Sequence, residues 1–205
     1  MLTVHHLNNS RSQRILWMLE ELGAEYAVVR YERDPATMFA PPALLAVHPL
    51  GKSPVIDVDG LVIAESGAIV EYLADRFGGL RPSGAAAKRL STYWLHFAEG
   101  SAMLPLVLKL YLGRVGPAAA AVMERVSGQI AAMLAEVEAA LAGNPFFAGQ
   151  DLSVADIMMS YPLEAAVARG QATNFPGIIS YLDRIHARPA YLAALERGGP
   201  YQLLK

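Results

Sequence analysis

A mixed α/β unit followed by an all-helical one is the fold class this sequence predicts, and three observations carry it. Residues 1–78 switch between period-2 and helical patterns in the order β-α-β, connection, β-β-α. Gly78-Gly79-Leu80-Arg81-Pro82-Ser83-Gly84 then reads as a linker. From Ala85 onward the chain carries helical spacing and no convincing strand, as in a helical bundle.

Leu2 to Leu7 reads as the first strand. The helix after it, Ser12 to Leu22, places Ile15, Leu16, Met18, Leu19 and Leu22 on one face and stops at Gly23. Glu25 to Tyr31 is a second strand, so the first two strands are expected to run parallel through a crossover. A segment punctuated by Pro35, Pro41, Pro42, Pro49 and Gly51 connects to a hairpin. Its strands are Val55–Val58 and Leu61–Ala64, and Asp59-Gly60 is a strong two-residue turn signal. Ser66 to Phe77 follows as a helix with Ile69, Val70, Leu73 and Phe77 inward. Beyond the linker, helices are expected at Ala85 to about Leu112, Ala118–Leu141, Ser153–Ala168 and Gly177–Ala187. Pro189 can open a last short one over Ala190–Leu195.

Composition excludes several functions. The chain has 205 residues, enough for two small domains, and 54 % of them are hydrophobic. Seventeen basic against nineteen acidic residues, net −2, argue for neither nucleic acid nor an anionic membrane. The absence of cysteine excludes disulfides, thiolate metal sites and mechanisms using the protein's own sulfur. No signal-peptide pattern opens the chain, and no apolar run is read as reaching the roughly 18 residues of a membrane span. A cytoplasmic protein without a metal is the expectation.

Four stretches carry chemical information. In "NNSRSQ", Asn8 to Gln13, Ser10 and Gln13 have capping-box spacing, which accounts for Ser10 structurally. The same cluster lies between a strand and the positive end of a helix. There a hydroxyl or carboxamide can donate to an anion such as a substrate thiolate and lower its pKa. In "HPLGKSPVI", His48 to Ile56, Pro54 opens a strand after a turn and is a plausible cis site. Ser53 before it can pair through its backbone with an extended peptide, and Lys52 can meet a carboxylate. Otherwise this is a proline turn beside a solvated lysine. In "AESGAIVEYL", Ala64 to Leu73, Ser66 is a good N-cap and the next N–H groups are free for a carboxylate. Glu65 can take an ammonium, which capping does not require. In "DLSVADI", Asp151 to Ile157, Ser153 and Asp156 form a capping box with Leu152 and Ile157 as a staple; this one is read as structural.

Together "NNSRSQRILWMLEELG", "HPLGKSPVI", "DGLVIAESGAIVEYL" and "AGQDLSVADI", in this order and spacing, resemble the cytosolic glutathione transferases over nearly the whole chain. The opening stretch is most similar to a bacterial and fungal branch of that family. The resemblance implies a thioredoxin-like glutathione-binding domain at 1–78, an all-helical domain at 85–205 and a homodimer. It further implies that Ser10, with Asn9 close behind, meets the glutathione sulfur. Ser53 before cis-Pro54 would hold the cysteinyl part, Glu65 and Ser66 the γ-glutamyl end, and Lys52 the glycyl carboxylate. Leu7, Met103, Leu106, Leu110 and Tyr111 are candidate walls for an apolar electrophile between the domains. Glutathione is then a co-substrate, and no separate cofactor is expected.

The first functional expectation is a detoxifying transferase, in which the thiolate attacks an electrophilic carbon. A glutathione-dependent disulfide or peroxide reductase is the alternative on the same fold. A non-catalytic glutathione or apolar-ligand binder is the alternative of another class.

Overall fold

Leu2, Val4 and Leu7 are buried side chains of β1 (Leu2–Leu7), the strand around which the first unit is built. β1 pairs in parallel with β2 (Ala27–Tyr31) and antiparallel with β3 (Val55–Val58). β3 turns into β4 (Leu61–Ala64), giving a mixed sheet in the order β2-β1-β3-β4. The Asp59-Gly60 turn has positive φ at both residues, 52° and 91°, as a two-residue hairpin of this twist requires. The computed structural model describes residues 1–204.

Helix α1 (Gln13–Glu21) is rich in leucine and methionine, which lose little freedom in a helix. It buries Ile15 through Leu19 completely and ends where Gly23 turns left-handed at φ 61°. Helix α2 (Ser66–Phe77) buries Ile69, Val70 and Leu73, whereas Phe77, expected inward, is 38 % exposed. The chain divides into two compact units: residues 1–80 together with the chain from Ile185 onward, and residues 81–184. The segment after Ile185 therefore does not belong to the helical unit, contrary to the expected 85–205 domain. Helix α8 (Pro189–Gly198) lies on α1, with Tyr191 edge-on to Trp17 at 5.4 Å. Arg188, just before α8, donates to both carboxylate oxygens of Glu21, at 2.5 and 2.8 Å.

The helical unit contains α3 (Ala85–Phe97), α4 (Leu104–Val115), α5 (Ala120–Leu141), α6 (Val154–Ala168) and most of α7 (Pro176–His186). Where one helix was expected from Ala85 to Leu112, a π-helical turn at Ala98–Met103 separates α3 from α4. Pro105 explains the interruption: it has no N–H for the carbonyl four residues earlier, and its ring crowds that turn. α6 is buried on every side from Val154 to Ala166, the mark of a central helix. Beside it Trp94, Phe147 and Tyr181 stack in series at 4.8 and 5.1 Å. The expected box is formed. Ser153 is the N-cap, its Oγ accepts from the Ala155 N–H at 3.3 Å, and Asp156 accepts from the Ser153 N–H at 2.9 Å.

The expectation of no span-length apolar segment needs correction. The continuous helical stretch 85–141 holds a window of mean hydropathy 1.4, long and apolar enough to cross a membrane by length and composition. Only 11 % of that window is buried within the chain.

Candidate functional site

Strand register gathers the sequence motifs at one end of the sheet. His5 pairs with Val55, and Val55 pairs with Ala64. The chain beyond this row carries Leu7 to Ser12 after β1, Ser53-Pro54 before β3, and Glu65-Ser66 after β4. The Ser53-Pro54 bond is cis, as the sequence led us to expect. Ser53 is fastened to β1: its hydroxyl donates to the His5 carbonyl at 2.7 Å and accepts from the Leu7 N–H at 3.2 Å. Lys52 beside it is exposed.

Glu65, not Ser66, is the N-cap of α2, and no side chain caps this helix. Ser66 is already the first helical residue and is buried. Glu65 has φ 70° and ψ 122°, a region that strains any residue with a Cβ and recurs at functional sites. The first helical bond of α2 is Ile69 N–H to the Glu65 carbonyl, so Ser66, Gly67 and Ala68 present N–H groups without partners in the helix. With the exposed Glu65 carboxylate beside them, an ammonium and a carboxylate can be held side by side.

The polar cluster at the mouth of α1 differs from its sequence reading. The N-cap is Ser12, in helical conformation at φ −68° and ψ −19°, and no side chain caps α1. The Ser10–Gln13 box is therefore not formed. Both polar atoms of the buried Gln13 side chain lack a partner among the described residues. The serines are engaged instead by each other and by His6 of β1. The His6 ring donates to the Gly198 carbonyl and meets Ser12 Oγ through Nδ1 at 2.9 Å. Burial, with the Arg30 charge adding to it, pushes the His6 pKa down to about 4, so its ring is neutral at pH 7. A neutral ring that donates through Nε2 accepts through Nδ1, so the one Ser12 hydroxyl proton is directed at His6 and at the Leu7 carbonyl, 3.2 Å away, and not at Ser10. The Ser10–Ser12 contact of 2.8 Å then takes its proton from Ser10. Ser10 is 3 % exposed, and its hydroxyl points inward with that proton committed.

Asn9 is presented differently. Its φ is 49°, a left-handed conformation that asparagine tolerates better than most residues. Its Oδ1 accepts from the Gln202 N–H at 2.7 Å. A backbone N–H only donates, so the atom facing it is the carbonyl oxygen, and Nδ2 is the amide's other end. Asn8 Oδ1 likewise accepts from the Arg33 N–H at 3.0 Å.

The candidate electrophile walls divide. Leu7 is buried in the first unit; Met103 and Leu106 are buried in the helical unit, as core residues are. Leu110 and Tyr111 are 40 % and 58 % exposed. Sequence reasoning missed His6, Ser12, Asn8 and Gln202. His6 had a signal, a polar residue on the same strand parity as the buried Leu2 and Val4. Gln202 had none, being 193 residues from its partner.

Two family models match the chain: the glutathione S-transferase N-terminal domain over residues 1–75 and the C-terminal domain over 120–198. Glutathione S-transferase 1 of Saccharomyces cerevisiae is 32 % identical, covering 96 % of this chain and 95 % of the relative. The disulfide-bond oxidoreductase YfcG of Escherichia coli is 24 % identical over 95 % and 94 %. Among solved structures, a glutathione S-transferase from Actinobacillus pleuropneumoniae superposes with a TM-score of 0.93 at 34 % identity, covering 100 % of this chain and 96 % of that one. A glutathione transferase family member from Pseudomonas fluorescens, with two glutathiones bound, gives 0.81 at 26 % identity over 95 % and 92 %.

Proposed function

The chain belongs to the glutathione S-transferase family, and from that premise we propose a glutathione transferase whose Asn9 amide keeps the glutathione sulfur as a thiolate for attack on an apolar electrophile. The observation that carries this reading is the convergence of Asn9, Ser53 and Glu65-Ser66 at one end of the sheet. Two strand spacings separate β1 from β4 across β3, about 10 Å at about 4.8 Å each. An extended tripeptide also spans about 10 Å. The γ-glutamyl end then sits at Glu65 and the N–H groups opening α2, with the cysteinyl part against the Ser53 backbone. The sulfur reaches the mouth of α1, and Lys52 serves the glycyl carboxylate.

There the Asn9 Nδ2–H and the positive end of α1 both favour the charged sulfur. Ser10 supports the turn rather than the thiolate, because its proton goes to Ser12. In the reaction the sulfur lone pair forms a C–S bond as the carbon–leaving-group bond breaks, and the leaving group departs with the electron pair of the broken bond. The enzyme contributes position and a stabilised thiolate. Of the proposed electrophile walls, Leu110 and Tyr111 are exposed enough to meet an apolar compound.

The same reading takes the working form as a cytoplasmic homodimer active in detoxification. Exposed Leu90 and Tyr93 on α3 and Leu104 and Leu108 on α4 support self-association, which sedimentation would test. A disulfide reductase is the second reading, favoured by the likeness to the Escherichia coli oxidoreductase. Turnover of an aryl halide, a small disulfide and a hydroperoxide with glutathione decides. Conjugation of the halide is expected. Reduction of the disulfide or the hydroperoxide alone would replace the transferase reading with the reductase, and no turnover would leave a binding protein.

A further inference from the structure

The helical unit holds an open cavity that the glutathione reading does not use. Its volume is about 490 Å³, within the roughly 300–1,000 Å³ of small-molecule sites. Residues of α3, the π turn, α4 and α5 line it, all between Tyr93 and Glu136 in sequence. Phe97 and Met133 are buried and supply its apolar wall, with the Tyr93 ring tilted against Phe97 at a centroid distance of 5.5 Å. Among the described lining residues, Glu136 alone carries a formal charge. Tyr93 donates its hydroxyl to Glu136 Oε1. That bond pushes the Tyr93 pKa up to about 12, so the hydroxyl keeps its proton at neutral pH. Among the described residues no basic side chain pairs with this carboxylate. Backbone acceptors are added by the π turn Ala98–Met103. Gly100 and Ser101 of that turn line the cavity and are exposed. Pro105 stands where the donors to their carbonyls would stand in π and α spacing, and it has no N–H to give.

We propose that this cavity is a binding site for a small organic ammonium compound. The nitrogen sits at the Glu136 carboxylate and the carbonyls of the π turn, and the apolar body lies against Tyr93, Phe97 and Met133. Each part of the cavity selects for a cation. A carboxylate that accepts from a phenol on one oxygen has its other oxygen for a charged N–H donor. Carbonyl oxygens accept and cannot donate, so they favour an ammonium over a carboxylate. Aromatic faces such as those of Tyr93 and Phe97 attract positive charge. An anion of the same shape would meet a carboxylate, carbonyl oxygens and electron-rich rings. The inference is independent of the glutathione reading, since no lining residue belongs to the proposed glutathione site.

Calorimetry on the whole protein in its solution assembly, with glutathione saturating, is the test. Naphthylmethylamine is the probe, and naphthylmethanol and naphthoate are its neutral and anionic counterparts. Ala132→Trp fills the cavity from an exposed position on α5 and keeps the carboxylate, so the binding it removes is binding at the cavity. There the amine is expected to bind about tenfold or more tighter than the alcohol, and the acid weakest of the three. Glu136→Gln should cost the amine that advantage and leave the alcohol unchanged. Ala132 and Glu136 are both exposed, so neither change touches the core. Equal binding of amine and alcohol at the cavity would overturn the proposal. So would an amine affinity that Glu136→Gln leaves unmoved, or that Glu65→Gln alone removes. Tyr93 and Leu104 line the cavity and also lie on the face proposed for self-association. A second copy that seals the cavity would show as no amine uptake by the parent protein, a result that needs no variant to fold and overturns the site.

Discussion

Ser10–Gln13 and Ser153–Asp156 share the spacing of a capping box, and only the second is one. At Ser153 the backbone is extended, φ −137° and ψ 173°, so the hydroxyl turns back onto the first turn of α6. Asp156 then collects the N–H groups of Ser153 and Phe147 and the hydroxyls of Ser153 and Tyr181. At Ser10 the helix begins two residues later than a cap there would set, and the serines turn to His6. The difference lies in the surroundings. At Asp156 the added partners, Phe147 and Tyr181, are donors that suit a carboxylate, whereas at the other cluster the His6 ring at the end of β1 draws Ser12 away from capping. Spacing nominates a cap; the backbone conformation at that residue and the partners around it decide whether the residues are used for one.

The largest effect should come from breaking the formed box. Asp156→Ala strands four buried donors, and a loss of about 2–4 kcal/mol is expected in urea unfolding. Activity per folded molecule should stay near that of the parent, because no residue at 153–156 is part of the proposed glutathione site.

Next comes the unformed box, through pH. The folded-state pKa of His6, about 4, lies below its ordinary value of 6.5. Between those values the unfolded chain binds a proton that the folded one refuses, so this group's stabilisation is complete above 6.5 and is lost as pH falls through about 4. Asp156 acts oppositely. Burial pushes its carboxyl up from 3.8 to about 6 despite its donors, so this group weakens stability as pH rises across that window. The two should partly cancel in the parent. His6→Gln removes one, and its stability deficit measured at pH 7 should narrow towards pH 4. A deficit constant with pH would mean that His6 is not held neutral.

The smallest effect sharpens the contrast most. Gln13 occupies the position a capping box would give its acceptor, yet its amide has no partner among the described residues. Gln13→Leu should therefore be neutral or stabilising by up to about 1 kcal/mol. A clear loss in thermal melts would show that the amide is used after all.

These cases also mark what could be read from the chain. The Asp59-Gly60 hairpin, the cis Ser53-Pro54 bond and the 153–156 box were legible because each is decided within a few residues. The break near residue 80 was legible for the same reason. The return of α8 to α1, the bond from His6 to the Gly198 carbonyl and the Gln202–Asn9 bond were not, since each joins residues through the folded topology. The π turn lay between these extremes. Pro105 signals trouble in a helix, but a kink, a break and a widened turn all answer it.

On the proposed function the polar cluster divides its labour, Asn9 facing the sulfur and Ser10 holding the turn. This division is tested most directly by the thiol pKa of bound glutathione in Asn9→Ala and Ser10→Ala side by side, each with a stability curve. Asn9→Ala should raise that pKa by about one unit, worth about 1.4 kcal/mol between the two protonation states. Ser10→Ala should cost about 1 kcal/mol of folding stability and leave the pKa within a few tenths of the parent's. A rise in Ser10→Ala with none in Asn9→Ala would contradict the account and put the hydroxyl, not the amide, on the sulfur.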